Sequence, residues 1–204
     1  MKTPSHALVN VGVLSLWSSP SFALPLFIGA VLPDISIFIL YFWAKFWKKE
    51  DEKTIWSEIY YQKFWQDLVA LFHSFPVCIL LLGIGIGLQW TALIAAAASL
   101  ILHNLGDFPL HHDDAHRHFY PLSEYRFVSP LSYWDTKHYG KQVAAVEDCL
   151  TLCCCIYVLA TSFALWLKVI AIAVGILALF LIPFSPLRLI TPFLRRLRAR
   201  DRCV

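Results

Sequence analysis

Histidine and carboxylate side chains lie inside stretches of this chain that are otherwise apolar: His6, Asp34, Asp67, His73, His103, Asp107, Glu147 and Asp148. An ionisable group in such a segment costs roughly 2.5–3.5 kcal/mol to insert in a membrane, and it marks function by default. Structural ion pairing would need cations. The apolar stretches supply only Lys45 and Lys168, both near segment ends. A bound metal ion would provide the missing positive charge. Imidazole and carboxylate together suit zinc and similar divalent metals.

The sharpest local pattern is His103-Asn104-Leu105-Gly106-Asp107. Residues i and i+4 share a helix face, so this imidazole and this carboxylate can bind one ion, or the carboxylate can bridge two. Four residues further on, His111 prolongs the stripe if the helix survives Pro109. The bland alternative is a helix-end histidine paired with its own aspartate. Buried companions at Asp34 and His73 favour a metal.

His111-His112-Asp113-Asp114-Ala115-His116-Arg117-His118 is dense in ligand types. Read as a solvated loop it does nothing. Read as the rim of a cavity, it adds His111 as a ligand and Asp113 as a ligand or general base. His112, His116 and His118 are expected to be solvated, as is Asp67 near a membrane surface. Ser132-Tyr133-Trp134-Asp135 and His138-Tyr139-Gly140 form an aromatic, polar stretch suited to a lid, because Trp and Tyr prefer headgroup level. Of Glu147 and Asp148, Glu147 is preferred as the residue facing the same cavity as His138. Cys149 and Cys153 are i, i+4 neighbours, read as small packing residues. The Gly83-x-Gly85-x-Gly87 series reads as close helix packing.

Helices long enough to cross a bilayer must position these groups. Of 204 residues, 58% are apolar and only 15% charged, against about 45–50% and about 25% in ordinary soluble domains. The mean hydropathy is +0.61. A soluble globular enzyme, a disordered chain and a coiled coil are all poor fits. Six cysteines, three of them adjacent, do not suggest a disulfide framework.

A crossing helix needs roughly 20 apolar residues. The segments 21–46, 64–88, 90–110, 142–165 and 166–184 qualify, and 5–17 is a shorter sixth. The chain therefore reads as all-α and polytopic, with about six transmembrane helices. Residues 1–186 form one integral-membrane domain and 187–204 a basic tail. With six spans, every Lys and Arg except Lys168 falls on one side. Lys and Arg accumulate in cytoplasmic loops, so both termini are expected in the cytoplasm of a multi-pass inner (plasma) membrane protein. The arginines of the tail suit anionic headgroups rather than nucleic acid, for which no fold motif is present. A signal-peptide reading of Lys2, Ala7–Trp17 and Ser21-Phe22-Ala23 would remove His6. Six spans explain the charge split without it.

By helix rise, His73 stands roughly 15 Å in from Lys63 and His103 roughly 12 Å from His111. Together with His6, Asp34 and Glu147 they form one cytoplasmic-side layer.

The order of Thr3-Pro4-Ser5-His6, Gly29-Ala30-Val31-Leu32-Pro33-Asp34, Phe72-His73-Ser74 and His103-x3-Asp107 resembles the membrane-bound metal-dependent hydrolases. This is an inner-membrane group, one type of which is associated with LexA. The stretch from His103 through Asp113-Asp114 and Val128-Ser129-Pro130 to Tyr139-Gly140 resembles one branch of it. The group is distantly similar to the zinc-dependent phospholipase C and single-strand nuclease superfamily. That resemblance implies a phospholipase C-like helical core and one to three zinc ions. It implies His6, Asp34, His73, His103 and Asp107 as ligands, with His111 as the candidate for the next histidine. The superfamily's closing His-x3-acid pair does not follow in this sequence, and His138 with Glu147 are the candidates in its place.

The expected function is metal-dependent hydrolysis of a phosphoester in a lipid or lipid-linked substrate, reached from the cytoplasmic side. Asp34, Asp107 and Asp113 are the candidate catalytic carboxylates. A divalent-metal transporter or a non-catalytic metal-binding membrane protein would use the same ligands.

Overall fold

A computed structural model describes residues 1–181, and these form helices and connecting loops without a strand. The tail 187–204 and the expected domain end at 186 lie outside the described residues. The helices are α1 (Thr3–Leu14), α2 (Ala23–Phe42), α3 (Glu52–Thr54), α4 (Lys63–Phe72), α5 (Phe75–Gly87), α6 (Thr91–Asp107), α7 (Gly140–Ala160) and α8 (Leu165–Ile176). Short 3-10 and π turns extend α2 into a 28-residue helical stretch, Pro20–Trp47.

Two helical stretches are long and apolar enough to cross a membrane, Pro20–Trp47 and Gly140–Ala160. The pair α4 and α5 makes a third if its 43° bend is accepted within one span. The sequence reads residues 64–88 as one continuous segment, but the helix breaks at His73-Ser74. The cause is local. Ser74 caps α5, its Oγ accepting from Val77 N–H at 3.2 Å, and Pro76 sits in the first turn, where its missing N–H costs nothing. α1 has 12 residues and α6 has 17, so as helices they span only about 18 Å and about 25 Å.

The polarity of the body is inverted. Leu24, Ile28, Phe38, Phe42, Ile79, Ile86, Ile156 and Ile172 are exposed on the outside. His6, Asn10, Ser36, Ser99, His103 and Asp107 are buried within. An apolar exterior around a polar interior is compatible with a membrane protein.

α6 is the central helix, packed against α2, α5 and α1. Gly29 permits the closest approach: a Cβ there would come within 2.2 Å of the Ala96 carbonyl oxygen. The same contact is stitched by polar bonds. Ser99 Oγ donates to the Leu26 carbonyl at 2.6 Å, and Asn10 Nδ2 donates to the Ser99 carbonyl at 2.8 Å. α1 and α2 are thereby both locked to the middle of α6. Of the three glycines in α5, only Gly85 packs closely, against Ile94; Gly83 and Gly87 face open space.

The segment 108–139 is irregular and folds back over the ends of α4 and α6. Arg117 fixes it, with Nη2 donating to Asp67 at 2.7 Å and Nη1 to Glu124 at 2.5 Å. Asp67, expected to be free in solvent, is thus a tether held by Arg117 and Lys63. Arg117→Ala should lower stability by about 1–2 kcal/mol, because charge-assisted bonds are strong but both carboxylates are partly hydrated. A fall in the thermal unfolding midpoint in detergent would check this.

Candidate metal centre

The four principal donors come from three helices. Asp34 follows Pro33 inside α2, His73 terminates α4, and His103 and Asp107 occupy the last turns of α6. One atom from each lies within 4.8 Å of all the others. His103 Nε2 is 3.2 Å from Asp107 Oδ2 and 3.7 Å from Asp34 Oδ1. His73 Nε2 is 3.7 Å and 3.8 Å from the same two oxygens. Four donors held tetrahedrally about 2.0–2.1 Å from one zinc ion stand about 3.3 Å apart. The spacing fits with small adjustments.

Tautomer control supports the fit. His103 Nδ1 lies 2.7 Å from the Ala30 carbonyl oxygen and His73 Nδ1 lies 2.9 Å from that of Val69. Since a carbonyl only accepts, both Nδ1 atoms carry a proton, and in the neutral ring each Nε2 then presents its lone pair. Neither Nε2 has a hydrogen-bond partner, although both rings are fully buried. Buried, unpartnered lone pairs aimed at carboxylates are costly without a cation between them. A backbone carbonyl on the far ring nitrogen is the usual support of a metal-bound histidine.

A second group shares one member. Asp107, His111 and His116 also offer atoms within 4.8 Å of one another. The helix stops at Asp107, before Pro109, yet His111 Nε2 still comes within 3.5 Å of Asp107 Oδ1. The two oxygens of Asp107 therefore divide their neighbours. Oδ2 faces His73 and His103. Oδ1 faces His111, His6 Nε2 at 2.9 Å and the Met1 amine at 2.5 Å. His6 stacks on His103, with ring centroids 3.6 Å apart, and does not enter either donor group.

Three expected residues fall elsewhere. Asp113 is exposed and lies beside His112, at 3.3 Å; its neighbour Asp114 instead comes to 2.9 Å from His111 Nδ1. His138 pairs with Asp135 at 2.7 Å and stacks on His112. Glu147 is buried and accepts Lys2 N–H at 2.8 Å, while Asp148 pairs with Lys2 Nζ. A cation for these acids thus comes from the other end of the chain.

Two histidines expected to be solvated are buried. His116 joins the second donor group. His118 Nδ1 lies 3.0 Å from the His73 carbonyl oxygen, and the His118 carbonyl accepts Phe75 N–H at 2.8 Å. It clamps the loop across the α4–α5 break. No sequence periodicity marks either residue, since both sit in irregular backbone.

In this loop, burial holds His116 well below the ordinary imidazole range and brings His118 to about 4, with His73 adding to both effects. Both rings are neutral at physiological pH, and neutral imidazole is the ligating form. Burial would also lower His111, but Asp107 and Asp114 outweigh it and raise it to about 9. Asp114 is lowered despite its own burial, because His111 stands beside it.

A cavity of about 210 Å³ reaches the donors past Thr3, Asp34, His111 and His116. It adjoins a wider cleft of about 450 Å³, with His111, His116 and Tyr133 in the shared wall. Thr3 Oγ1 donates to Asp34 Oδ2 at 2.5 Å on the cavity side.

Compared with protein-family models, with curated proteins and with solved structures, the chain matches none. The reading of the site therefore rests on its own geometry. Buried Asp and His side chains are gathered so that they could hold a metal ion.

Proposed function

We propose that this chain is an integral-membrane, metal-dependent hydrolase acting on a phosphoester of a lipid or lipid-linked substrate. The observation that carries the proposal is the set Asp34, His73, His103 and Asp107, with both Nε2 lone pairs unpartnered and both Nδ1 protons held by backbone carbonyls. The metal is zinc or a similar divalent ion, and the shared Asp107 makes room for a second. The resemblance to the membrane-bound metal-dependent hydrolases supports the same conclusion, as does an exterior apolar enough for lipid.

A divalent ion in this donor set supplies Lewis acidity and makes a nucleophile available from water at neutral pH. His73 and His103 are neutral ligands, oriented by Val69 and Ala30. Asp107 divides its oxygens between the two donor groups. Asp34 faces the cavity, with Thr3 on its second oxygen, and is the carboxylate placed to take a proton. The substrate enters by the aromatic cleft.

The proposed topology has six spans, the short α1 and α6 being shielded by their neighbours. Both termini and the loops 48–62 and 108–139 lie in the cytoplasm. The site then sits under the headgroup layer, which is why a lipid phosphoester is the substrate class.

Elemental analysis of the purified protein tests the centre. Near-stoichiometric zinc or manganese is expected, falling at least tenfold in His103→Ala. Retention should also fall as pH drops below the histidine range, because protons compete for the ligating nitrogens. Metal-free protein with unchanged properties in His103→Ala would refute the proposal. Metal flux into proteoliposomes without ester hydrolysis would assign the same ligands to transport.

A further inference from the structure

The donor cavity is rich in hydrogen-bond acceptors and poor in free donors. Its Asp and His side chains belong to the two donor groups. The Met1 amine faces Asp107, Lys2 Nζ pairs with Asp148, and the Thr3 hydroxyl donates to Asp34. The other polar residue of the lining is Tyr133. Among the described residues its hydroxyl has no hydrogen-bond partner, and it is not one of the polar atoms sealed off by burial.

The backbone fixes where this ring stands. Tyr133 N–H donates to the Leu110 carbonyl at 3.0 Å, and Ser132 N–H donates to that of His138 at 2.8 Å. The Tyr133 ring packs beside His111, with centroids 5.1 Å apart. Tyr133 also lines the wide cleft, whose other rings include Trp56 and Tyr60 from the connection before α4 and Trp134 from the loop before α7. Two distant pieces of chain thus converge on one space, and Tyr133 stands in the wall that this space shares with the donor cavity.

A phosphoryl group brought to the donors presents anionic oxygens, which need donors as well as a cation. Lysine or arginine at this place would compete with a metal ion for Asp34 and Asp107. A phenol adds no charge, and it keeps its proton up to about pH 10. A donor already in place where negative charge gathers, away from bulk water, is worth more than the same bond in solution.

We propose that the Tyr133 hydroxyl binds the phosphoryl group of the substrate, donating a hydrogen bond to one of its oxygens beside the donor cluster. As a step in hydrolysis this rests on the hydrolase reading; as a phosphoryl site it needs only the hydroxyl and bound metal. The phosphoryl group can belong to a lipid or to a small water-soluble ester. A ring that merely packs on His111 would serve as well without its hydroxyl, and that difference is the test.

The test uses the full chain in detergent, loaded with zinc or manganese, and titrates it with inorganic phosphate in a calorimeter. Saturable binding is expected in the parent. Tyr133→Phe should weaken it roughly tenfold to a hundredfold, because a bond to a charged oxygen is lost. The same variant keeps the ring against His111, so bound metal and the unfolding midpoint should stay at the parent values. Tyr60→Phe, which alters the wide cleft alone, should leave phosphate affinity unchanged. Turnover of a phosphoester by Tyr133→Phe should fall in step with its phosphate affinity.

No phosphate binding to the metal-loaded parent, or equal binding by parent and Tyr133→Phe, overturns the phosphoryl site. So does a loss of phosphate that comes only with a loss of metal or of thermal stability, since that marks a packing role. Ester cleavage that is untouched in Tyr133→Phe overturns the proposal and leaves the hydrolase reading standing. Phosphate binding that depends on Tyr133, in a protein that cleaves no ester, removes the hydrolase reading and leaves the phosphoryl site. A fall in the cleavage of phosphatidylglycerol vesicles by Tyr133→Phe assigns the phosphoryl group to a lipid. A fall confined to bis(p-nitrophenyl) phosphate assigns it to a soluble ester.

Discussion

Asp107→Asn should empty both donor groups at once. The residue is fully enclosed, and its two oxygens face different sets of histidines. The amide keeps the volume but loses the charge and one acceptor, so the second group loses its only carboxylate and the first is left with Asp34 alone. Bound metal measured by elemental analysis should fall below a tenth of the parent value. Hydrolysis of a phosphoester substrate should fall by roughly 10³-fold, the equivalent of about 4 kcal/mol of transition-state stabilisation. Asp113→Asn is the natural control, because Asp113 lies exposed beside His112 and outside both groups. Equal losses in the two variants would mean that the cluster is not the working centre.

The second large effect concerns a residue with no chemistry of its own. Gly29→Ala should destabilise the protein and loosen the centre together. The added methyl would meet the Ala96 carbonyl oxygen at 2.2 Å and Ser99 Cβ at 2.8 Å. Both are parts of α6 that cannot rotate away, so the two helices must separate. Overpacking of this kind costs about 1–3 kcal/mol or more, and in a chain of this size each 1 kcal/mol lowers the unfolding midpoint by about 2–4 °C. Separation would also pull Ala30 from His103 Nδ1, removing the bond that fixes the ligating tautomer. Metal affinity should therefore drop roughly tenfold without any ligand being changed. Gly83→Ala, where the new methyl meets nothing within 4 Å, should leave both measurements near the parent values. If Gly29→Ala behaves like Gly83→Ala, the tight α2–α6 contact does not hold the centre together.

Parts of this arrangement were legible residue by residue. His103 and Asp107 are one helical turn apart, and that spacing forces them onto one face in any α-helix. Asp34 and His73 stood out because buried ionisable groups are too costly in apolar segments to lack a role. The break at His73 was also written locally, in Ser74 and Pro76, although hydropathy alone ran the segment through it.

Other features had no local signature. His116 and His118 occur in a run that reads equally well as solvated loop, and only the return of that loop over α4 and α6 buries them. Glu147 and Asp148 looked like acids without a cation because Lys2, their partner, is some 145 residues away in the chain.

The sequence by itself determined an all-helical, apolar chain with a small set of His and Asp residues that needed a counter-charge. Those properties follow from composition, periodicity and the energetic cost of single groups, all of which act over one or two helical turns. Tertiary structure decided which of those groups meet, that Asp107 faces two donor groups, and that two distant aromatic segments enclose one cleft. These depend on how α2, α6 and the loop 108–139 pack. Such packing is fixed by close approaches like that of Gly29 and by tethers like Arg117, whose partners lie far away in the chain.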